Sequence, residues 1–483
     1  MNEDVIKEFH LLVEKAKSLG ANYADVRFVH RTTERISTKN SDIESITSND
    51  DSGFGIRVLA NGSWGFASSS YINKNEMLSV LNQAVDIAKA SSILKKNDIV
   101  LSPVEPVIGD YQCQIKTDPF SIPFKKKIDL LIDSNKIMKE EKNIQIANGN
   151  LYFLKEDKLF ISSEGSQIRQ ERIVSGGGIF ATAMENSEVQ KRSYPVPFGG
   201  DYKTGGYEVI EDFSFQDNAL ETAKQASLLL KAEECPKKIT DIIIGSVMLG
   251  IHVHETCGHP TELDRVLGTE TSFAGTSFLM PDMIGSYKYG SDIVNIEANA
   301  TIPGAMGSFF YDDEGVKAQK YLLVNNGIFK NYLTSRETSP LFNQKSNGTM
   351  RADGWSRIPL IRMTNINLLP GEWDFSDLVK DTNDGIFMDA VKSWSIDDKR
   401  WNFQFGCEIA YEIKNGKIQK LLKNPVYTGN TQQFWNSCDA ICNKEHWKLI
   451  GIINCGKGEP GQSGHISHGS APSRFRNIQV GVK

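Results

Sequence analysis

Two histidines and a glutamate crowd one short stretch of this sequence, His254-Glu255-Thr256-Cys257-Gly258-His259. Neutral imidazoles are good zinc ligands, and a glutamate beside one is placed to move protons for an activated water. The usual helical arrangement is His-Glu-x-x-His, where residues four apart share a face. Here the spacing is five. On a regular helix, at roughly 100° per residue, side chains five apart diverge by about 140°. Both cannot reach one metal unless the helix breaks. Gly258 offers the break, because glycine adopts the left-handed conformation that closes helices. Pro260 prevents continuation. The chain is therefore expected to turn at Gly258 and bring His259 back over His254.

A single buried histidine is more often a hydrogen-bonded core residue than a ligand. Three of them, His252, His254 and His259, within eight residues and beside a glutamate weigh against that bland reading. In a strand His252 and His254 would share a face, so His252 is a rival ligand. It ranks lower because the segment reads as helix. A catalytic zinc site needs three protein ligands and one open position. Candidates for the third are Cys257, Glu262, Asp264, His465 and His468, together with Cys455. Cys455 stands in the glycine-rich segment Asn454 to Gln462, after the strand-like run Leu449 to Ile453.

The elements that must position these residues can be read from periodicity. Thr240 to Ile244 reads as a buried strand, and Gly245-Ser246 breaks it, with Ser246 a candidate helix cap. The following helix carries the His-Glu pair. Upstream, Val5, Phe9, Leu12, Ala16 and Leu19 mark an amphipathic helix that Gly20 stops. Strand-like runs follow at Ala24 to Val29, Asp42 to Thr47 and Gly55 to Ala67, the last folded at Asn61-Gly62. Asn73, with Glu76 three residues on, opens a second helix. Helix, meander and helix then recur through Ile128, Leu131, Ile132 and Met138, the runs between Ile144 and Thr182, and Leu220, Ala223 and Ala226. This predicts a duplicated α+β unit. Beyond Pro236, hairpins at Asn325-Asn326-Gly327 and Asn415-Gly416 announce antiparallel sheet. The fold class is α+β: a duplicated helix/antiparallel-sheet N-terminal domain over 1–235, then a β-rich C-terminal domain over 236–483 carrying the metal-site helix. Residues 198 to 208 are glycine-rich and read as a candidate linker.

With 483 residues and a formal net charge of -6, the chain suits two or three cores and lacks the basic balance of a nucleic-acid binder. Seven scattered cysteines point to reduced thiols rather than a disulfide framework. Ile242 to Val253 is too short to span a bilayer, and Met1-Asn2-Glu3-Asp4 lacks a basic, apolar leader. A cytoplasmic protein with neither nucleic-acid nor membrane partners is expected. Asp312-Asp313-Glu314 reads as a solvated turn, Cys438 and Cys442 as core thiols, and Trp435 and Trp447 as packing residues.

Taken together, these motifs resemble the TldD-type members of the TldD/TldE (PmbA) zinc metallopeptidase family. The stretches that carry the resemblance are His254-Glu255-x-x-Gly258-His259-x-x-Glu262-x-Asp264 and Cys455-Gly456-Lys457. Further ones are Tyr311-Asp312-Asp313-Glu314-Gly315, Arg362-Met363-Thr364-Asn365, Leu369-Pro370-Gly371 and Asn415-Gly416-Lys417-Ile418. The resemblance implies that His254, His259 and Cys455 bind zinc and that Glu255 is the general base. It implies hydrolysis of unfolded or small peptides by a metal-activated water, with a TldE/PmbA-like partner subunit. Cys257 departs from the small apolar residue expected inside the motif. The alternative is a non-catalytic regulatory or structural zinc-binding protein, for which Cys257 and Cys455 with two histidines would supply four ligands.

Overall fold

The computed structural model describes residues 3–272, 275–458 and 461–481. Glu459 and Pro460, inside the glycine-rich segment singled out above, lie outside the described residues. Among the described residues two eight-stranded sheets dominate, joined to shorter hairpins.

The N-terminal sheet is built twice over. Helix Glu3–Ser18, strands Ala21–Lys39, Asp42–Ala60 and Ser63–Ser69, and helix Lys74–Ser91 form the first unit. Helix Phe124–Lys139, strands Ile144–Ser162, Gln167–Glu185 and Glu188–Tyr194, and helix Phe215–Lys231 form the second. The units meet where Ala21–Lys39 pairs antiparallel with Ile144–Ser162, from Asp25↔Ser162 to Lys39↔Asn148, so the repeat makes one continuous sheet. Local chemistry sets the ends of these elements. Gly20 takes φ 94° after the first helix, and Asn61-Gly62 takes φ 50° and 72° in the hairpin, values that side chains resist and Asn or Gly tolerate. Asn73 accepts the Glu76 amide at 3.0 Å and caps its helix.

The glycine-rich stretch is not a linker. Asp201–Thr204 is a strand paired with Val174 to Gly177, and Asp201 accepts the Gly451 amide at 2.7 Å, tying the two halves together. Its glycines serve close approach: a Cβ on Gly178 would lie 2.7 Å from the Gly200 Cα.

The C-terminal sheet closes on itself. Its order runs Asp384–Ile396, Lys238–Ile244, Ser473–Val480, Val426–Asn430, Asn402–Lys414, and Asn402–Lys414 pairs back onto Asp384–Ile396. Ile242, Ile243 and Ile244 are fully buried, as are Met248 and Leu249 of the next helix. This apolar anchor fixes the helix that carries the site. Both predicted hairpins form, with Asn326-Gly327 and Asn415-Gly416 at positive φ. No described helix is long and apolar enough to cross a membrane.

The acidic run Asp312-Asp313-Glu314 is buried, not solvated. Asp313 pairs with Lys158 at 2.6 Å and Glu314 with Arg57 at 3.2 Å, both partners lying in the N-terminal sheet. Asp312 accepts the amides of Glu314, Val316 and Met350. Burial and the neighbouring Glu314 push its carboxyl up to about 8. The run is a clamp between the two halves. Asp313 keeps its charge because Lys158 and Arg27 outweigh burial and hold its carboxyl below the usual range.

Candidate metal centre

Helix Ser246–Val253 begins at Gly245, whose extended backbone ends the strand. Ser246 does not cap it; its hydroxyl donates to the His446 carbonyl at 3.1 Å. Asp389 accepts the Met248 amide at 3.1 Å instead, a cap supplied from across the sheet.

The five-residue spacing is repaired, but not by the expected left-handed turn. Gly258 has φ -58° and stays right-handed. The helix widens into a π turn over His254–Gly258, in which the His259 amide donates to the His254 carbonyl. That bond spans five residues, so the wider turn puts residues five apart on one side. A 3-10 turn, His259–Thr261, follows, with Pro260 where a missing N–H is tolerated. Gly258 is needed for space rather than for φ, because a Cβ there would collide with the Met363 sulfur. Met363 is fully buried. Gly258→Ala should cost about 1–3 kcal/mol by overpacking and loosen the turn. The measurement is the thermal midpoint and zinc content of Gly258→Ala beside Gly258→Ala/Met363→Ala, in which the second change restores room. A single variant indistinguishable from the parent would remove this account.

The structure brings His254, His259 and Cys455 together. Their donor atoms all lie within 4.8 Å of one another, and all three residues are buried. The two Nε2 atoms are 3.1 Å apart, and Cys455 Sγ is 3.6 Å from one and 3.7 Å from the other. Cys455 does not sit in a loop. Its strand runs Lys448–Lys457, beyond the predicted end at Ile453, and pairs with Gln462–Ser470.

Hydrogen bonds set the tautomers. His468 Nδ1 lies 2.9 Å from the Ile366 carbonyl, which can only accept, so Nδ1 carries the hydrogen. His468 Nε2 then accepts from His254 Nδ1 at 2.8 Å, which leaves a lone pair on His254 Nε2. His259 Nδ1 donates to Glu262 at 2.9 Å, leaving its Nε2 lone pair free as well. Burial opposes the Glu262 charge, but Lys457, His259 and Arg265 outweigh it and hold the carboxyl well below the usual range. Burial keeps the imidazoles neutral: His259 falls to about 3, His468 to about 4, and His254 also drops well below its ordinary value.

Two imidazole lone pairs facing each other at 3.1 Å repel unless a cation lies between them. A tetrahedral zinc, with Zn–N of about 2.0–2.1 Å and Zn–S of about 2.3 Å, separates nitrogens by about 3.3 Å and nitrogen from sulfur by about 3.6 Å. The donor set fits that ion. Its orienting partners follow a general pattern in which each ligating histidine is fixed through its other nitrogen. His468→Phe removes the acceptor behind His254 and should weaken zinc binding about 10–100-fold. Chelator competition reads this, and an unchanged affinity would exclude the relay.

The other candidates lie elsewhere. His252 sits in an aromatic cage of Phe403, Phe405, Tyr427, Phe434 and Trp435 and contacts the Tyr427 hydroxyl at 3.1 Å. Cys257 is buried near Tyr289, outside the cluster, its thiol pushed up to about 12 by burial. Asp264 pairs with Lys457 at 2.7 Å. His465 lies in the second strand of the Cys455 hairpin, outside the cluster and edge-on to Tyr152. Cys438, Cys442 and Trp435 are core residues.

Glu255 Oε1 is 4.0 Å from His254 Nε2, beside the donors but not among them. Its Oε2 accepts from Arg400 Nη1 at 2.6 Å. Burial raises the carboxyl above its ordinary range, while Arg400 and the Trp394 indole pull it back. Sequence reading missed Arg400. It sits in the turn between Asp384–Ile396 and Asn402–Lys414 at φ 64°, held by Asp397, which accepts the Trp401 and Asn402 amides. Nothing in Asp397-Asp398-Lys399-Arg400 distinguishes it from a solvated hairpin tip.

An α+β chain with a closed sheet and a buried His/His/Cys donor set beside a carboxylate has the build of a metallohydrolase. Residues 24–88, 117–230 and 236–481 match, in turn, domain 1, the central domain and the C-terminal domain of the PmbA/TldA metallopeptidases. A metalloprotease of Methanocaldococcus jannaschii is 33% identical over 95% of this chain and 96% of its own length. A zinc metalloprotease TldD homolog of Saccharolobus solfataricus is 24% identical, over 97% and 98% respectively. The crystal structure of TldE from Thermococcus kodakarensis superposes with TM-score 0.74 at 14% identity, covering 98% of this chain and all of that one, a likeness of fold. The chain belongs to the PmbA/TldD metallopeptidase family.

Proposed function

We propose that this protein is a zinc peptidase in which His254, His259 and Cys455 hold the metal and Glu255 is the general base. The observation that carries the reading is the convergence of two oriented Nε2 lone pairs and one thiol beside a carboxylate that none of them uses. When bound, zinc supplies Lewis-acid polarisation and acidifies water. Glu255 then takes a proton on Oε1 and returns it to the leaving amine, and its raised proton affinity suits both transfers. Arg400 holds Oε2 and so fixes the rotamer. Three donors rather than four, with Cys257 apart, favour a catalytic over a structural site among the described residues. The substrates we infer are unfolded or small peptides, and the partner a TldE/PmbA-like subunit. The test is elemental analysis of the purified chain, followed by peptide hydrolysis with and without that subunit, before and after chelation. About one zinc per chain and chelator-sensitive cleavage are expected. A chain that takes up no zinc would overturn the reading.

A further inference from the structure

A cavity of about 930 Å³ lies between the N-terminal sheet and the C-terminal half. Four guanidinium groups line it: Arg31, Arg172, Arg351 and Arg362. Among the described residues, two of the four pair with a carboxylate. Arg31 takes Glu156 and Asp353, both at 2.7 Å, and Arg172 shares the same Glu156 at 3.3 Å. Arg351 and Arg362 donate to main-chain carbonyls: Arg351 to Met363 at 3.1 Å, Arg362 to Gln462 at 3.3 Å and to Cys455. Several other acids of the cavity are engaged, Glu208 by the amides of residues 116, 117 and 206, Asp312 by the amides named above, Asp313 by Lys158 and Glu171 by Lys155, while Asp212 is exposed to solvent.

Orphaned donors mark the same wall. Arg362 is 2% exposed, yet among the described residues its Nε has no hydrogen-bond partner, and neither has the buried Arg172 Nε. A buried donor left unpaired costs roughly 1–3 kcal/mol. An anion seated among the guanidinium groups would satisfy Nε and give Arg351 and Arg362 a charged partner. Gly464 is shaped for this wall, since a Cβ there would lie 2.9 Å from Arg362 Cζ. Arg362 also joins the cavity to the metal centre, because the carbonyl it holds is that of Cys455.

We propose that the cavity holds a carboxylate of the peptide, either its C-terminus or an acidic side chain, against Arg351, Arg172 and Arg362. This rests on the peptidase reading and adds a substrate class to it. Guanidinium forks bind planar carboxylates in this way. The volume accommodates a few residues leading to that anchor.

Three fluorescent pentapeptides of one apolar sequence test it, titrated into the zinc-loaded Glu255→Gln chain. One ends in a free carboxylate, one in an amide, and one in an amide with a single glutamate. At least tenfold tighter binding of the free acid than of the plain amide is expected, with Arg351→Gln erasing the difference and Arg351→Lys keeping part of it. If the glutamate peptide alone outbinds the plain amide, the anchor is a side chain. Equal binding of all three, or of none, overturns the proposal, whether or not hydrolysis is ever seen. Carboxylate discrimination without any hydrolysis by the zinc-loaded, unsubstituted chain together with its TldE/PmbA-like subunit would instead sink the peptidase reading and leave the pocket standing.

Discussion

Glu255→Gln is expected to keep its zinc and lose peptide hydrolysis, with kcat falling by about 10²–10⁴, the range a positioned general base supplies. Glutamine matches the volume, and its carbonyl can still accept from Arg400, so the buried geometry should survive. What it lacks is a basic oxygen beside the donor cluster. Glu255 is 5% exposed, and burial, only partly offset by Arg400, keeps its proton affinity above that of an ordinary glutamate. The comparison needs zinc content and single-turnover cleavage on the same preparation. Zinc at the parent level with parent activity would strip Glu255 of the role. Loss of zinc would mean that Glu255 acts on the metal rather than on the proton. Arg400→Gln provides a second reading: as a positioning residue, its loss should move the acidic limb of the pH profile, which a purely structural role would leave in place.

Much of this site was legible in the sequence, and the limits are physical. The His-Glu pair and the five-residue spacing were visible, and so was the need for a local break. The form of the break was not. Glycine signals both left-handed backbone and missing volume, and only the Met363 sulfur shows which applies at Gly258. The relay behind His254 could not be read either, because His468 lies 214 residues away and meets it through a hairpin whose register is tertiary. The Asp312-Asp313-Glu314 clamp looked like a loop because its partners Lys158 and Arg57 lie on other strands, and local composition cannot report them. Elements, by contrast, were legible wherever a short-range rule fixed them. The Asn-Gly turns, the Asn73 cap and the apolar stripes of the helices depend on neighbours within a few residues. The duplication was legible as order, but that the units fuse edge to edge through Ala21–Lys39 and Ile144–Ser162 was not.

The pH dependence of metal binding should carry the mark of this burial. Ordinary imidazoles titrate near 6.5, and a site with two of them and a thiol would release up to three protons on binding zinc below that pH. Here burial has already made the histidines neutral. His259 titrates near 3, and His254 lies well below its usual value. Cys455 goes the other way, since burial pushes its thiol up to about 11 despite the nearby Arg362. Between about pH 5 and 9 the free site therefore holds one proton that the metal must displace, the thiol's. Raising pH removes the competitor, so zinc affinity should climb about tenfold per pH unit, about 10⁴ across that window. Competition against a chelator of known protonation behaviour measures the slope. A slope near three below pH 6.5 would show that the histidines titrate normally and that the His468 and Glu262 contacts do not fix them. A flat profile would show a thiolate already formed before metal arrives. Cys455→Ala should bind more weakly and lose the slope, because the two remaining donors have no proton to give up in this range.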